Sequence, residues 1–227
     1  MANSLSCIDG RHRINDTSTT MYKLFFILSF TVSTLLISGQ VCNHTDLSMQ
    51  FDIETSLIRI KNVDQFHDSC NIKVVITDKS AKKVMQTINY SSIHFSDKVF
   101  IDCNSVISYP AKKNDTLDII DNYYGDLIVA DFNFDNRDDF ALIKDSGSNG
   151  GPFYDFYIQN KNGKFVPDKF LSETMVFFPS QINKNNKTLV TYVHAGVCWI
   201  AEHIYGYNDI TGKWSEKSHK IIDICKK

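Results

Sequence analysis

The sequence predicts an all-β fold, with antiparallel sheets packed as a sandwich or partial propeller and one hairpin built around an acidic loop. Three observations carry this expectation. Short runs alternate apolar and polar residues along most of the chain, which is the period of a half-buried strand. Turn chemistry rich in Asn, Asp and Gly separates those runs. Phe, Tyr and β-branched residues are plentiful, while long helix-forming stretches are few.

The elements follow in order. Phe51-Asp-Ile-Glu-Thr55 and Leu57-Ile-Arg-Ile60 alternate as strands, and Asn71–Thr77 reads as another that ends at the polar stretch Asp78–Lys83. Val84–Ile88 is its return strand, giving a hairpin. Lys98–Asp102 is a further strand. Asp126–Ala130 and Phe140–Ile143 are strands on either side of an acidic loop. Tyr154–Ile158 and Lys164–Val166 flank Asn160-Lys-Asn-Gly163, a strong hairpin signal because Asn and Gly accept positive φ. Ile204–Tyr207 and Lys213–Ser215 flank Asn208–Gly212 in the same style. Alternation from Val193 to Ala201 predicts one strand, with His194, Cys198 and Glu202 on its second face.

The chain's 227 residues suffice for one sizeable core. Hydrophobic residues at 43% and charged residues at 22% describe a globular chain and exclude a disordered one. A net charge of -2 with no clustered basic face gives no reason to expect a nucleic-acid partner. Residues 1–20 are polar and unpatterned, and Met21 reads as the native start. From there, Lys23 followed by the apolar run Leu24–Ile37 and by Ser38-Gly39-Gln40 describes a signal peptide over 21–40. The apolar run is short for a bilayer span, so no integral span is expected in the mature chain. Residues 41–227 then form a single all-β domain. A composition shift at Ala111–Asp115 sets apart subregions 45–110 and 115–227 without a linker.

Export places the mature protein in the periplasm or outside the cell, where disulfides form. Five cysteines follow the leader, and proximity suggests pairing Cys70 with Cys103 and Cys198 with Cys225. Cys42 stands just past the apolar run, where a lipid anchor of an outer-membrane lipoprotein would be attached. The preceding Ser-Gly-Gln-Val is a poor match to the small-residue pattern that such processing prefers. No C-x-x-C occurs, so neither a redox motif nor a zinc ribbon is supported. Asn-x-Ser/Thr triplets at Asn43, Asn89, Asn114 and Asn186 matter only in a eukaryotic secretory pathway.

The densest chemical signal is Asp131-Phe-Asn-Phe-Asp-Asn-Arg-Asp-Asp139. Asp131, Asn133, Asp135 and Asp139 fall at positions one, three, five and nine, the spacing at which a curled loop turns oxygens inward on calcium. Arg137 at position seven would supply its backbone carbonyl while its side chain faces solvent. Asn136 occupies the position usually held by Gly, as the next best residue for a left-handed turn. Phe132 and Phe134 are expected to pack against the core. Position twelve is Leu142, not a bidentate Glu, so the loop is no EF-hand. Four carboxylates in nine residues repel one another without a cation, and the ion expected here is a structural Ca2+.

Directly after this hairpin, Asp145-Ser-Gly-Ser-Asn-Gly-Gly-Pro-Phe-Tyr154 is a loop of little side-chain bulk, able to project or simply to connect two strands. The acidic loop resembles the calcium loops of FG-GAP and other integrin-type repeats. The stretch from about Val74 to Tyr157 resembles bacterial periplasmic calcium-binding proteins related to lysozyme inhibitors, including immunity proteins against secreted lysozyme-like effectors. That resemblance implies a muramidase or effector as partner, plugged by Ser146, Gly147 and Tyr154 with Ser148, Asn149 and Gly150 nearby. Here Ser-Gly and Tyr stand further apart than in the compact inhibitor motif.

Catalytic signals are thin. His194, Cys198 and His203 allow a Cys-His pair to be imagined, but core histidines and a disulfide cysteine are the plainer expectation. No Gly-x-Ser-x-Gly or His-Glu-x-x-His occurs. The expectation is therefore not an enzyme but an exported calcium-stabilised inhibitor of a peptidoglycan hydrolase. The alternative is an envelope scaffold or adhesion domain without inhibitor activity.

Overall fold

Strand pairing organises the described residues into three sheets. The computed structural model describes residues 40–60, 69–92, 103–109, 116–119, 125–145, 147 and 151–226. The expected leader over 21–40 and the strand Lys98–Asp102 lie outside the described residues, Gln40 apart.

The first sheet is an antiparallel meander of β1 (Gln40–His44), β2 (Phe51–Ile60), β3 (Ser69–Asp78) and β4 (Val84–Ser92). Its apolar positions alternate as the sequence requires. Phe51, Ile53, Ile72, Val74 and Ile76 are all buried to 1% exposure or less. The expected β3–β4 hairpin is present, with Val74 opposite Ile88.

The second sheet holds β5 (Val106–Tyr109), β7 (Leu127–Ala130), β8 (Asp139–Asp145), β9 (Phe153–Gln159) and β10 (Phe165–Pro167), in the order β10-β9-β8-β7-β5. Only β5 and β7 run parallel. Leu127–Ala130 is a continuous buried run, as expected of a strand covered on both faces. The third sheet is β14-β13-β12-β11-β6, comprising β6 (Thr116–Asp118), β11 (Gln181–Asn183), β12 (Thr188–His194), β13 (Trp199–Asn208) and β14 (Lys213–Asp223). A helical turn, Leu171–Met175, precedes β11.

Aromatic side chains join the sheets into one core. Phe165 stands 5.1 Å from Phe51 and 5.0 Å from Phe140, linking the first sheet to the second. Phe134 meets Trp214 of β14 at 6.0 Å, linking the acidic loop to the third. Such pairs add about 0.5–1.5 kcal/mol each beyond the area they bury. The all-β class thus stands.

Two expectations change. The run Val193–Ala201 is not one strand: β12 ends at His194, Gly196 turns at φ +130, and β13 begins at Trp199. Alternation continues across a tight turn, and period alone cannot see the glycine reverse the chain. Cys103 pairs with Cys42 and not with Cys70, at a Cα separation of 5.4 Å. Cys70 is fully buried in β3, pointing into the core. Cys198–Cys225 forms as expected. Paired with Cys103, the Cys42 thiol is not free to carry the expected lipid anchor. Two disulfides suit a chain of an oxidising, extracytoplasmic compartment, and no helix among the described residues is long and apolar enough to cross a membrane.

Candidate metal centre

Strands β7 and β8 fix the two ends of the acidic loop, because Ala130 pairs with Asp139 across the ladder. The seven residues between Asp131 and Asp139 must curl within that gap. Two left-handed residues make the curl: Asn136 at φ +66, the position expected of it, and Phe134 at φ +62. A left-handed Phe costs roughly 1–2 kcal/mol. Burying its ring to 5% exposure beside Trp214 offsets that cost. Phe132 is completely buried, 5.1 Å from Phe156.

The carboxylates organise the backbone around them. Asp131 accepts the backbone N–H of Asp135 and of Asn136, each at 2.9 Å. Asp139 accepts the N–H of Phe132 at 2.9 Å and of Gln159 at 2.7 Å. Asn133 Oδ1 accepts the Asp135 N–H at 3.2 Å. Asp138 turns away, taking the Ser48 hydroxyl at 2.7 Å, and so ties the loop to the first sheet. Lys184, from the turn after β11, donates to Asn136 Oδ1.

Electrostatically the loop is under tension. Burial pushes the carboxyl of Asp139 well above the ordinary range; two backbone N–H groups oppose this, while the charges of Asp135 and Asp131 add to it. Burial likewise raises Asp131, with Asp135 adding to the effect and Lys184 opposing it. Asp131, Asp135 and Asp139 thus share one field.

Arg137 departs from expectation. Its guanidinium, only partly exposed, folds back on Asp135 Oδ2, and Nε donates to the Gln159 carbonyl at 3.3 Å.

These residues fit a calcium ion by donor chemistry. Asp131, Asp135 and Asp139 carboxylates, the Asn133 amide oxygen and the Arg137 carbonyl form an all-oxygen set, and calcium takes mixed oxygen ligands. Each carboxylate oxygen that accepts one N–H keeps a second lone pair. Among the described residues no three His, Cys, Asp or Glu side chains are gathered as a metal-holding group. The fit therefore needs the amide and main-chain oxygens, and it needs Arg137 to release Asp135.

The partner loop is placed only in part. Ser146, Ser148, Asn149 and Gly150 lie outside the described residues. Gly147 has φ +62, and a Cβ there would stand 1.7 Å from the Gly151 carbonyl oxygen, so any side chain deforms the loop. Tyr154 requires a correction. It is fully buried, and its hydroxyl donates to the Gly125 carbonyl at 3.0 Å. Burial alternates along β9 and puts Tyr154 and Phe156 on the core face, so Tyr154 has no surface to insert into a cleft.

Of the remaining candidates, His194, expected in the core, is exposed at the end of β12. Cys198 is spent in a disulfide, so it forms no nucleophilic pair with histidine. His203 bonds Glu216 at 2.7 Å and stacks on His219 at 4.4 Å across the β13–β14 ladder. Sequence reasoning missed Ser48, in the loop between β1 and β2, and the backbone N–H of Gln159, at the end of β9; no local spacing marks either. Comparison of the chain with protein-family models, curated proteins and solved structures finds no match.

Proposed function

We propose that this chain is an exported, calcium-braced binding protein that inhibits a lysozyme-like peptidoglycan hydrolase from the periplasm or the cell exterior. The observation that carries the calcium part is the buried group of Asp131 and Asp139, each raised by burial and by the other carboxylates. A cation relieves that repulsion and pins β7 to β8. The inhibitor part rests on the resemblance and on the small-residue loop that follows the calcium hairpin. With Tyr154 in the core, contact falls to the loop itself, Asp145–Pro152.

The burial of Tyr154 also favours a second reading, an envelope scaffold or adhesion domain in which that loop only connects strands. One experiment separates the two. Residues 41–227 in millimolar calcium are titrated into a panel of lysozyme-type enzymes digesting cell walls. Stoichiometric inhibition of any of them, lost in Asn149→Arg, supports the inhibitor. Failure across the panel hands the function to the scaffold reading. Gly147→Arg is the poorer probe, because it deforms the loop before it obstructs a partner.

A further inference from the structure

Arg137 holds Asp135 at two points. Its backbone N–H donates to Asp135 Oδ1 at 2.9 Å, and its guanidinium pairs with Oδ2. The Asn133 side-chain amide donates to the same Oδ2 at 2.9 Å, so each oxygen of this carboxylate is already engaged by the loop itself. The arginine is steadied from behind, because its Nε donates to the Gln159 carbonyl at 3.3 Å. The N–H of the same Gln159 donates to Asp139 Oδ1 at 2.7 Å. The end of β9 thus anchors both the guanidinium and one of the acidic side chains.

The charges give this arrangement a direction. The Asp135 carboxylate works against ionisation of both Asp131 and Asp139. A cation placed on Asp135 therefore relieves all three groups. Side-chain cations reach the loop at different places. Lys184 donates to Asn136 Oδ1, and its charge favours the ionised form of Asp131. Arg137 instead sits on an oxygen that a calcium ion needs. A guanidinium is always charged and only donates, so it cannot share that position with a metal. Both side chains of the pair are partly exposed, which leaves the guanidinium a path outward.

We propose that the Arg137 side chain is a built-in competitor of calcium: it neutralises Asp135 in the metal-free loop, must be displaced when the ion binds, and so holds calcium affinity below what the oxygen ligands alone would give. The inference rests on the calcium reading of this loop and is independent of muramidase inhibition. It gives one residue two opposed roles, the main-chain carbonyl as ligand and the guanidinium as rival.

The test is calorimetric titration of the full mature chain with calcium, together with melting temperatures in chelator and in saturating calcium. Parent, Arg137→Met and Arg137→Lys are compared. Met removes the charge and leaves the main-chain carbonyl in place. Arg137→Met is expected to bind calcium up to about fivefold more tightly, the size set by a solvent-screened ion pair. It is also expected to melt below the parent in chelator and level with it in calcium. Arg137→Lys keeps the charge and should stay nearer the parent. Unchanged or weaker binding by Arg137→Met, beside a parent that binds, overturns the proposal and leaves the calcium reading standing. So does a gain as large in Arg137→Lys, or a Met variant that melts with the parent in chelator. Binding by the variant alone supports the proposal; binding by neither removes the calcium reading, and the proposal with it.

Discussion

Asp126→Asn should change how stability depends on pH, and the structure sets the size of the effect. Asp126 opens β7 and is 4% exposed. Its backbone is satisfied, with N–H donated to the Ser105 carbonyl at 2.7 Å and C=O accepting Ile143 N–H at 2.9 Å. Its carboxyl is not, since Oδ2 is buried without a partner among the described residues. Burial pushes the carboxyl up to about 7, against a smaller opposing pull from Ser105. An unfolded Asp titrates near 3.9. Below about pH 4 both states are protonated and the group contributes nothing to the balance. Between about 4 and 7 the unfolded chain ionises while the folded one holds its proton, so stability falls as pH rises. Above about 7 the cost is complete. A shift of about three pH units at 1.36 kcal/mol per unit gives a cost of about 4 kcal/mol at pH 8. Asn is neutral throughout and avoids it, though its amide leaves one buried donor unmatched at roughly 1–3 kcal/mol. Urea unfolding of both proteins at pH 5, 6, 7 and 8, in saturating calcium, isolates the term, because all other titrating groups cancel in the difference. The variant should gain on the parent from pH 5 to about 7 and level off by pH 8. A difference that does not vary with pH refutes the reasoning.

Other perturbations reach other parts of the fold. Chelation should lower the melting temperature of the parent and leave Asp139→Asn unmoved, read by scanning calorimetry with and without a calcium buffer. Tyr154→Phe removes the hydroxyl bond to Gly125 and should cost about 1 kcal/mol in urea melts while leaving any muramidase inhibition intact; lost inhibition at full stability would return Tyr154 to the binding site. Replacing both Cys42 and Cys103 by Ser frees a span of 61 residues and should cost about 4 kcal/mol by loop entropy, measured by urea denaturation. Phe132→Ala, at the centre of the aromatic core, should cost about 3–5 kcal/mol and shift one cooperative transition if the three sheets share one core.

Much of this was legible in the sequence wherever local chemistry decides the outcome. Asn160-Lys-Asn-Gly163 turns because its residues accept the required backbone angles, and Gly163 does so at φ +76. Asp131–Asp139 is bracketed by strands because buried aliphatic runs stop where carboxylates begin. Tertiary choices were not legible. Tyr154 borders a glycine-rich loop, and only its parity in β9 sends it inward. Arg137 reads as a solvated side chain until the fold sets Asp135 and the Gln159 carbonyl beside it. Cys103 is nearer to Cys70 in sequence, yet β1 carries Cys42 to it, and no spacing records that.

That last pairing has a consequence for how the chain matures. Synthesis delivers Cys42 and Cys70 before Cys103. In any compartment that oxidises thiols as the chain emerges, the first pair available is thus the wrong one. Sheet formation supplies a partial safeguard: β1 to β4 are neighbours in sequence and can zip early, and the register that sets Cys70 opposite Ser92 leaves its sulfur at 0% exposure. A mispaired Cys42–Cys70 must otherwise be reshuffled by thiolate attack, on a timescale of seconds to hours without a dedicated isomerase. In such a compartment the yield of this protein should therefore track isomerase capacity, and Cys70→Ala should relieve that dependence.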